Sequence, residues 1–285
     1  MKPKIAATIA AAMLISLLAG TSVARAGVIE RPYYVSLGDS AAAGYQPPGV
    51  SALGYADQLA LRARRRSPLL RLEKLGCPGE TAASLVSGVE SPCSHASGSQ
   101  LNDATNLLRA HPGRIAFITV NVGVNDILNV CLNDETGVID PACVAGQVPA
   151  VKANLTTIIR ALHQAAPGVP VVGMSYWNPF LGFWVMGEGG QSLARTADQS
   201  MRALNTALVA TYAHEGAAVA DVAGAFHIAD FDTTVLTRWG MVPLNVATAC
   251  RWTWWCTPAP LGPDPHPTTY GYGVIADAFA KVLGL

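Results

Sequence analysis

The chain has 285 residues, of which 51 % are hydrophobic and 13 % charged, with 19 basic and 19 acidic side chains and no formal net charge. That is enough apolar material for a sizeable core and too little charge for a disordered chain. The balance of charge argues against nucleic acid as the main partner, and no repeat, heptad run or low-complexity tract points to a fibrous or solenoid protein.

Lys2 and Lys4 precede an apolar run from Ile5 to Ala19, and Ala24-Arg25-Ala26 follows. This is the layout of a secretory signal peptide, so residues 1–26 are expected to be removed, leaving one domain over 27–285. The apolar run is short for a membrane span, which needs about 20 residues, and an uncleaved anchor is the rival reading. Beyond it, strands and helices alternate. Tyr33–Leu37 reads as a buried strand ending at Gly38, Tyr55–Arg65 as a helix, Leu69–Leu75 as a strand and Leu101–Ala110 as a helix stopped by His111-Pro112-Gly113. Ile115–Val122 is the clearest strand. Val144–Ala166 is helical, Val169–Met174 a strand, Leu193–His214 a long helix, Ala217–Val222 a last strand and Tyr270–Leu283 a closing helix. Strands separated by helices imply parallel pairing, so the expected fold is a three-layer α/β/α sandwich around a mostly parallel sheet.

Six cysteines lie beyond the apolar leader, an even number that reads as disulfides in an exported chain. Pairing in sequence order closes the shortest loops, which favours Cys77–Cys93, Cys131–Cys143 and Cys250–Cys256. No Cys-x-x-Cys occurs, and no His stands at ligand spacing from a cysteine pair, so no metal site is expected.

In open parallel sheets the site lies at the carboxyl ends of the strands. Four segments stand there or close by. Gly38-Asp39-Ser40 can present a hydroxyl after the first strand. In Cys77-Pro78-Gly79-Glu80, Gly79 can expose a backbone N–H. Gly123-Val124-Asn125-Asp126 offers a side-chain amide to an oxyanion, and Asp264-Pro265-His266-Pro267-Thr268 offers a base. Each alone is an ordinary turn. Together they supply a nucleophile, a base and oxyanion donors.

These blocks resemble the SGNH (GDSL-type) hydrolases, with Ala41 where the short motif name has Leu. The three short-range cysteine pairs are similar to those of secreted actinobacterial esterases and lipases. The resemblance implies a flavodoxin-like fold and ester hydrolysis without a cofactor or metal. In it Ser40 is the nucleophile, His266 the general base, and the Ser40 and Gly79 N–H groups with the Asn125 side chain form the oxyanion hole. Asp39 and Asp126 are expected to brace their turns. The third triad member departs from the pattern. The family places Asp three residues before His, where this chain has Pro263, and Asp264 stands two before. Asp264 and His266 each precede a proline, which favours extended backbone and puts position −3 on the face of His266. Asp264 and the Pro263 carbonyl therefore compete to orient the imidazole.

Two aromatic clusters bear on the substrate: Trp177, Phe180, Phe183, Trp184 and Met186 in a Gly-rich loop, and Trp252, Trp254 and Trp255 inside the last cysteine loop. They suit an acyl chain, a sugar ring or simple packing. The expected function is a secreted or envelope-associated esterase or lipase acting on small-molecule or lipid esters, monomeric, without nucleic-acid partners, and in transient contact with lipid surfaces. A carbohydrate O-acetyl esterase, a non-catalytic surface-binding protein and a phosphodiester hydrolase are the alternatives.

Overall fold

A computed structural model describes residues 31–133 and 135–285; the expected signal peptide, 1–26, lies outside them. Along the chain run β1 (Tyr33–Gly38), the one-turn helix α1 (Ser40–Ala43), the antiparallel pair β2 (Tyr45–Gln46) and β3 (Gly49–Val50), and α2 (Tyr55–Ala63). Next come β4 (Arg71–Lys74), α3 (Ala82–Ser87), α4 (Gln100–Ala110), β5 (Ile115–Asn121), α5 (Val124–Cys131), α6 (Pro141–Ala165) and β6 (Val171–Met174). A 3-10 segment (Pro179–Met186) leads to α7 (Glu188–His214), β7 (Ala218–Ala220) and α8 (Val222–Ala225). The hairpin β8 (Thr234–Thr237) and β9 (Gly240–Pro243), α9 (Leu244–Trp252) and α10 (Thr269–Leu283) complete it.

The central sheet has five strands in the order β4-β1-β5-β6-β7, and every pairing is parallel. All six residues of β1 are buried, and β5 is almost as fully enclosed. This is why both read as near-continuous apolar runs rather than alternating ones. Helices α2 and α10 pack together on one side, while α3, α4, α6 and α7 pack against one another on the other. From β1 the chain moves outward to β4, then returns to β5 and proceeds the opposite way through β6 to β7. The order therefore reverses between β1 and β5, and a crevice opens beyond their carboxyl ends.

The three disulfides join Cys77 to Cys93, Cys131 to Cys143 and Cys250 to Cys256. Some elements escape the sequence pattern. Helix α6 starts at Pro141 rather than Val144 because the Asp140 carboxylate caps it, accepting from Ala142 N at 2.8 Å. Gly189 and Gly190, which read as loop, lie in the first turn of α7. At Gly190 a Cβ would strike the Phe183 carbonyl, so glycine is what lets the 3-10 segment fold back on the helix. The strand over 217–222 is the last of the main sheet only, since the β8–β9 hairpin follows it.

Candidate active site

The site begins where β1 ends. Gly38 has φ 135°, and a Cβ there would strike the carbonyl of Asn121 at the end of β5, so only glycine lets the two strand ends lie this close. The chain then turns into α1. Asp39 caps that helix, its Oδ1 accepting from Ala41 N at 2.8 Å, and Ser40 becomes the first helical residue with its side chain half-buried at the crevice.

His266 arrives from the other end of the sequence. Its Nε2 lies 2.8 Å from Ser40 Oγ, across 226 positions of chain. Its Nδ1 lies 2.8 Å from Asp264 Oδ1, and the same oxygen accepts the His266 backbone N–H at 2.9 Å. Of the two groups left in competition by the sequence, the Asp264 carboxylate is the one at the ring. The Asp264 carboxylate folds back on the backbone two residues ahead, as Asp does in Asx turns, and this carries it to the ring. With its proton on Nδ1 toward the carboxylate, the imidazole presents an unprotonated Nε2 to the serine hydroxyl. The loop is held from outside: Trp177 Nε1 donates to Pro265 O at 2.9 Å, Trp254 N to His266 O at 3.0 Å, and Tyr45 packs on the imidazole at 4.5 Å.

Asn125 sits in the first turn of α5, directly after β5. Its Nδ2 donates to the Glu80 carbonyl at 2.9 Å, which uses one amide hydrogen and leaves a second donor. Gly79 adopts φ 86°, and its turn is tied to α5 by that Asn125 bond. Ser40, Asn125 and His266 line one cavity with a volume of about 80 Å³; Gly79 is not among its lining residues, and the following residue, Glu80, is the one bonded to Asn125. Asp126 closes the same junction, its Oδ2 accepting from Ala82 N at 2.7 Å at the start of α3, and burial raises its carboxyl above the usual range.

Several residues of the surroundings carry no sequence signal. Gln100, fully buried on α4, accepts from Gly38 N at 2.6 Å and donates to Gly38 O at 3.0 Å and to Glu80 Oε2 at 3.1 Å. It acts as a side-chain strand partner for the end of β1 and bolts that end to the Gly79–Glu80 turn. Glu80 is fully buried and also accepts from Ser84 Oγ at 2.6 Å and Ser91 Oγ at 3.1 Å, with His95 Nε2 at 3.3 Å. A carboxylate following Gly79 was visible in the sequence, but not its burial. Beneath Ser40, Asp39 accepts from Asn121 Nδ2 at 2.7 Å and Tyr176 Oη at 2.5 Å. Burial pushes its carboxyl up to about 6, against the lowering by Tyr176 and Ala41.

The aromatic clusters divide. Trp177 and Phe180 line the cavity beside Ser40, with Val124, Leu128 and Met201. Phe183 and Trp255 pack behind Phe180, at ring distances of 6.2 and 5.0 Å, and Trp252 packs edge-on to Phe226 at 5.2 Å, so the last cysteine loop contributes walls rather than lining. A larger cavity, about 700 Å³, lies between α7 and the segment after β7 and includes neither Ser40 nor His266.

The chain belongs to the GDSL-like Lipase/Acylhydrolase family, whose pattern matches residues 36–274. Among solved structures it is similar to the extracellular lipase of Streptomyces rimosus (18 % identity, 87 % of this chain and 99 % of that one, TM-score 0.53). It is also similar to phospholipase A1 of Streptomyces albidoflavus NA297 (17 %, 89 % and 98 %, 0.53). A third is a member of the lipolytic G-D-S-L family from Veillonella parvula DSM 2008 (15 %, 88 % and 97 %, 0.51). At this identity the likenesses show the fold, that of the SGNH hydrolases. No curated protein sequence matches the chain.

Proposed function

We propose that the protein is an exported serine hydrolase of carboxylic esters with Ser40 as nucleophile. The observation that carries this is the continuous relay Asp264 Oδ1–His266 Nδ1 and His266 Nε2–Ser40 Oγ, each 2.8 Å. His266 removes the Ser40 proton as Oγ attacks the ester carbonyl, Asp264 stabilises the imidazolium, and the proton then passes to the leaving alkoxide. The acyl-enzyme is resolved by water, activated by His266 in turn. The Ser40 N–H, the Gly79 N–H and the free Asn125 amide hydrogen are the donors for the tetrahedral oxyanion.

The size of the cavity supports a short-acyl reading. Ligand pockets for drug-sized molecules run to about 300–1,000 Å³, and this one is about 80 Å³, so it encloses a short acyl group or only the carboxyl end of a longer one. The acetyl group of a carbohydrate ester is within the same size range. Export is supported by the three disulfides, which persist in oxidising compartments, and by the leader-like residues 1–26.

The test is hydrolysis of p-nitrophenyl esters from two to sixteen carbons by wild type and Ser40→Ala. Turnover by wild type alone is expected, with kcat/KM greatest at about four carbons or fewer because longer chains gain nothing from so small a cavity. Inert wild type, together with no labelling of Ser40 by a fluorophosphonate, would return the chain to the class of non-catalytic surface-binding proteins.

A further inference from the structure

The β8–β9 hairpin has its apolar side on the outside. Across the two strands Val235 faces Val242 and Leu236 faces Met241. Val242 is buried against Val246 and Cys250, which seats the hairpin on α9. Alternation along a strand then forces Leu236 and Met241 to the opposite face, where they are 79 % and 62 % exposed. At the tip Trp239 stands partly exposed, with the Arg238 guanidinium over its ring at 4.1 Å. A hairpin that only packs on its own domain carries polar residues on that face. Met186 of the 3-10 segment, also exposed, lines a groove together with Arg238.

The charged side chains that line the grooves at this hairpin are both arginines, Arg238 and Arg251. Between Asp232 and Asp264 there is no acidic residue, and the only charges are Arg238 and Arg251. Both arginines line one groove with Leu236 and Trp239. Apolar side chains with tryptophan at an interface, with arginines in the grooves beside them, match the boundary of an anionic bilayer: the chains enter the acyl region, the indole lies at headgroup depth and the guanidinium groups meet phosphates. Among the described residues no helix is long and apolar enough to cross a membrane, so such contact would be made from one side.

We propose that the β8–β9 hairpin is a docking surface that seats this protein on an anionic phospholipid membrane. The surface is mechanically continuous with the site. Arg238 donates to Cys256 O at 2.8 Å, and within the same cysteine loop Trp254 N holds His266 O. A second groove, lined by Met186, Arg238, Trp255 and Pro263, runs from the hairpin to the residue before Asp264. A lipid ester would thus be met where only its carboxyl end needs to leave the bilayer, which accords with the small cavity at Ser40. The docking itself does not depend on chemistry at Ser40.

The experiment is flotation of the oxidised protein with vesicles of phosphatidylglycerol and phosphatidylcholine in equal parts, and with phosphatidylcholine alone. Wild type and Ser40→Ala are expected to float equally with the anionic vesicles and at least tenfold less with the neutral ones. Leu236→Glu with Met241→Glu is expected to lose at least tenfold in partition, and Arg251→Glu several-fold, while hydrolysis of soluble p-nitrophenyl acetate and the thermal midpoint stay at wild-type values. The substituted side chains are exposed, so these variants leave intact the buried Val242 that seats the hairpin on α9. Equal flotation of wild type and the double variant, or no flotation of wild type, overturns the proposal. So does a hairpin variant that changes the sedimentation coefficient of the free protein instead of its flotation, because the face would then belong to a second copy of this chain. Flotation of Ser40→Ala is read without any turnover, so failure of the ester-hydrolase reading and failure of docking are separately visible.

Discussion

Asp39 is the residue on which the nucleophile turn rests, and its carboxylate is buried with three donors: Ala41 N, Asn121 Nδ2 and Tyr176 Oη. Those bonds lower its pKa, yet desolvation outweighs them and the carboxyl titrates at about 6 rather than 3.8. A raised acid pKa means the folded chain holds this proton more tightly than the unfolded one. Its contribution to stability is therefore full below about pH 3.8 and is lost as pH rises through about 6, a change on the order of 3 kcal/mol. Urea unfolding of Asp39→Asn from pH 4 to 7 is expected to lack that decline; an unchanged pH slope would assign it to another group. At the oxyanion, Asn125→Ala is expected to cost roughly 10²–10³ in kcat with little change in KM, since the second amide hydrogen is used only when charge develops on the substrate oxygen. Steady-state kinetics on a short ester would check this, and an effect confined to KM would remove Asn125 from the oxyanion site.

Among the elements, the loop carrying His266 has no regular structure of its own and is aligned by its neighbours. Thr253 and Pro267 form an isolated antiparallel bridge, Thr268 N donates to Trp252 O at 2.8 Å, and Trp177 reaches Pro265 from the opposite side of the site. The Cys250–Cys256 bond closes the loop that supplies two of these groups, Thr253 and Trp252. Replacing both cysteines by serine is expected to lower unfolding free energy by about 2 kcal/mol, the chain-entropy value for so short a loop. It is also expected to lower kcat by more than KM rises, because the base loses its fixed alignment to Ser40. Urea unfolding and turnover measured on one preparation would test both; loss of stability with wild-type kcat would show that the loop does not align the base.

At the scale of the whole molecule, the helices that cover the sheet are locked to one another. Tyr55 of α2 and Phe279 of α10 stack at 4.9 Å, both fully buried, and lock together the two helices on one face of the sheet. Phe279→Ala is expected to cost about 3–5 kcal/mol by opening a cavity there, with KM for a short ester unchanged. Chemical denaturation and kinetics would separate the two effects. Coupling of this mutation to kcat would show that the outer layer sets the position of His266 through α10.

Much of this architecture was legible in the order of residues. The strands β1 and β5 are buried on both faces and so appear as unbroken apolar runs. The long helices show their stripes, and the short-loop cysteines leave few sensible pairings. Ser40, Asn125 and His266 could be singled out because their blocks stand in order at strand ends and before the last helix and together resemble a known family, although each alone reads as a turn. The β8–β9 hairpin escaped because its strands are four residues long and its exposed face is apolar, so the usual alternation carries no contrast. Gln100 and Tyr176 escaped because each reads as ordinary helix-start or core sequence, and their partners are 62 and 137 positions away. Asp264 was ambiguous for a related reason: backbone preference before proline is a local rule, whereas the direction of its carboxylate is set by a hydrogen bond back to His266. Local periodicity, caps and turn residues are short-range physics, and the sequence by itself determined the strands, the long helices, the staples and the order of the site blocks. Which side chains meet across the sheet, how large a cavity they leave and which apolar face remains uncovered depend on chain segments far apart in sequence closing on one another, and only the tertiary structure decided those.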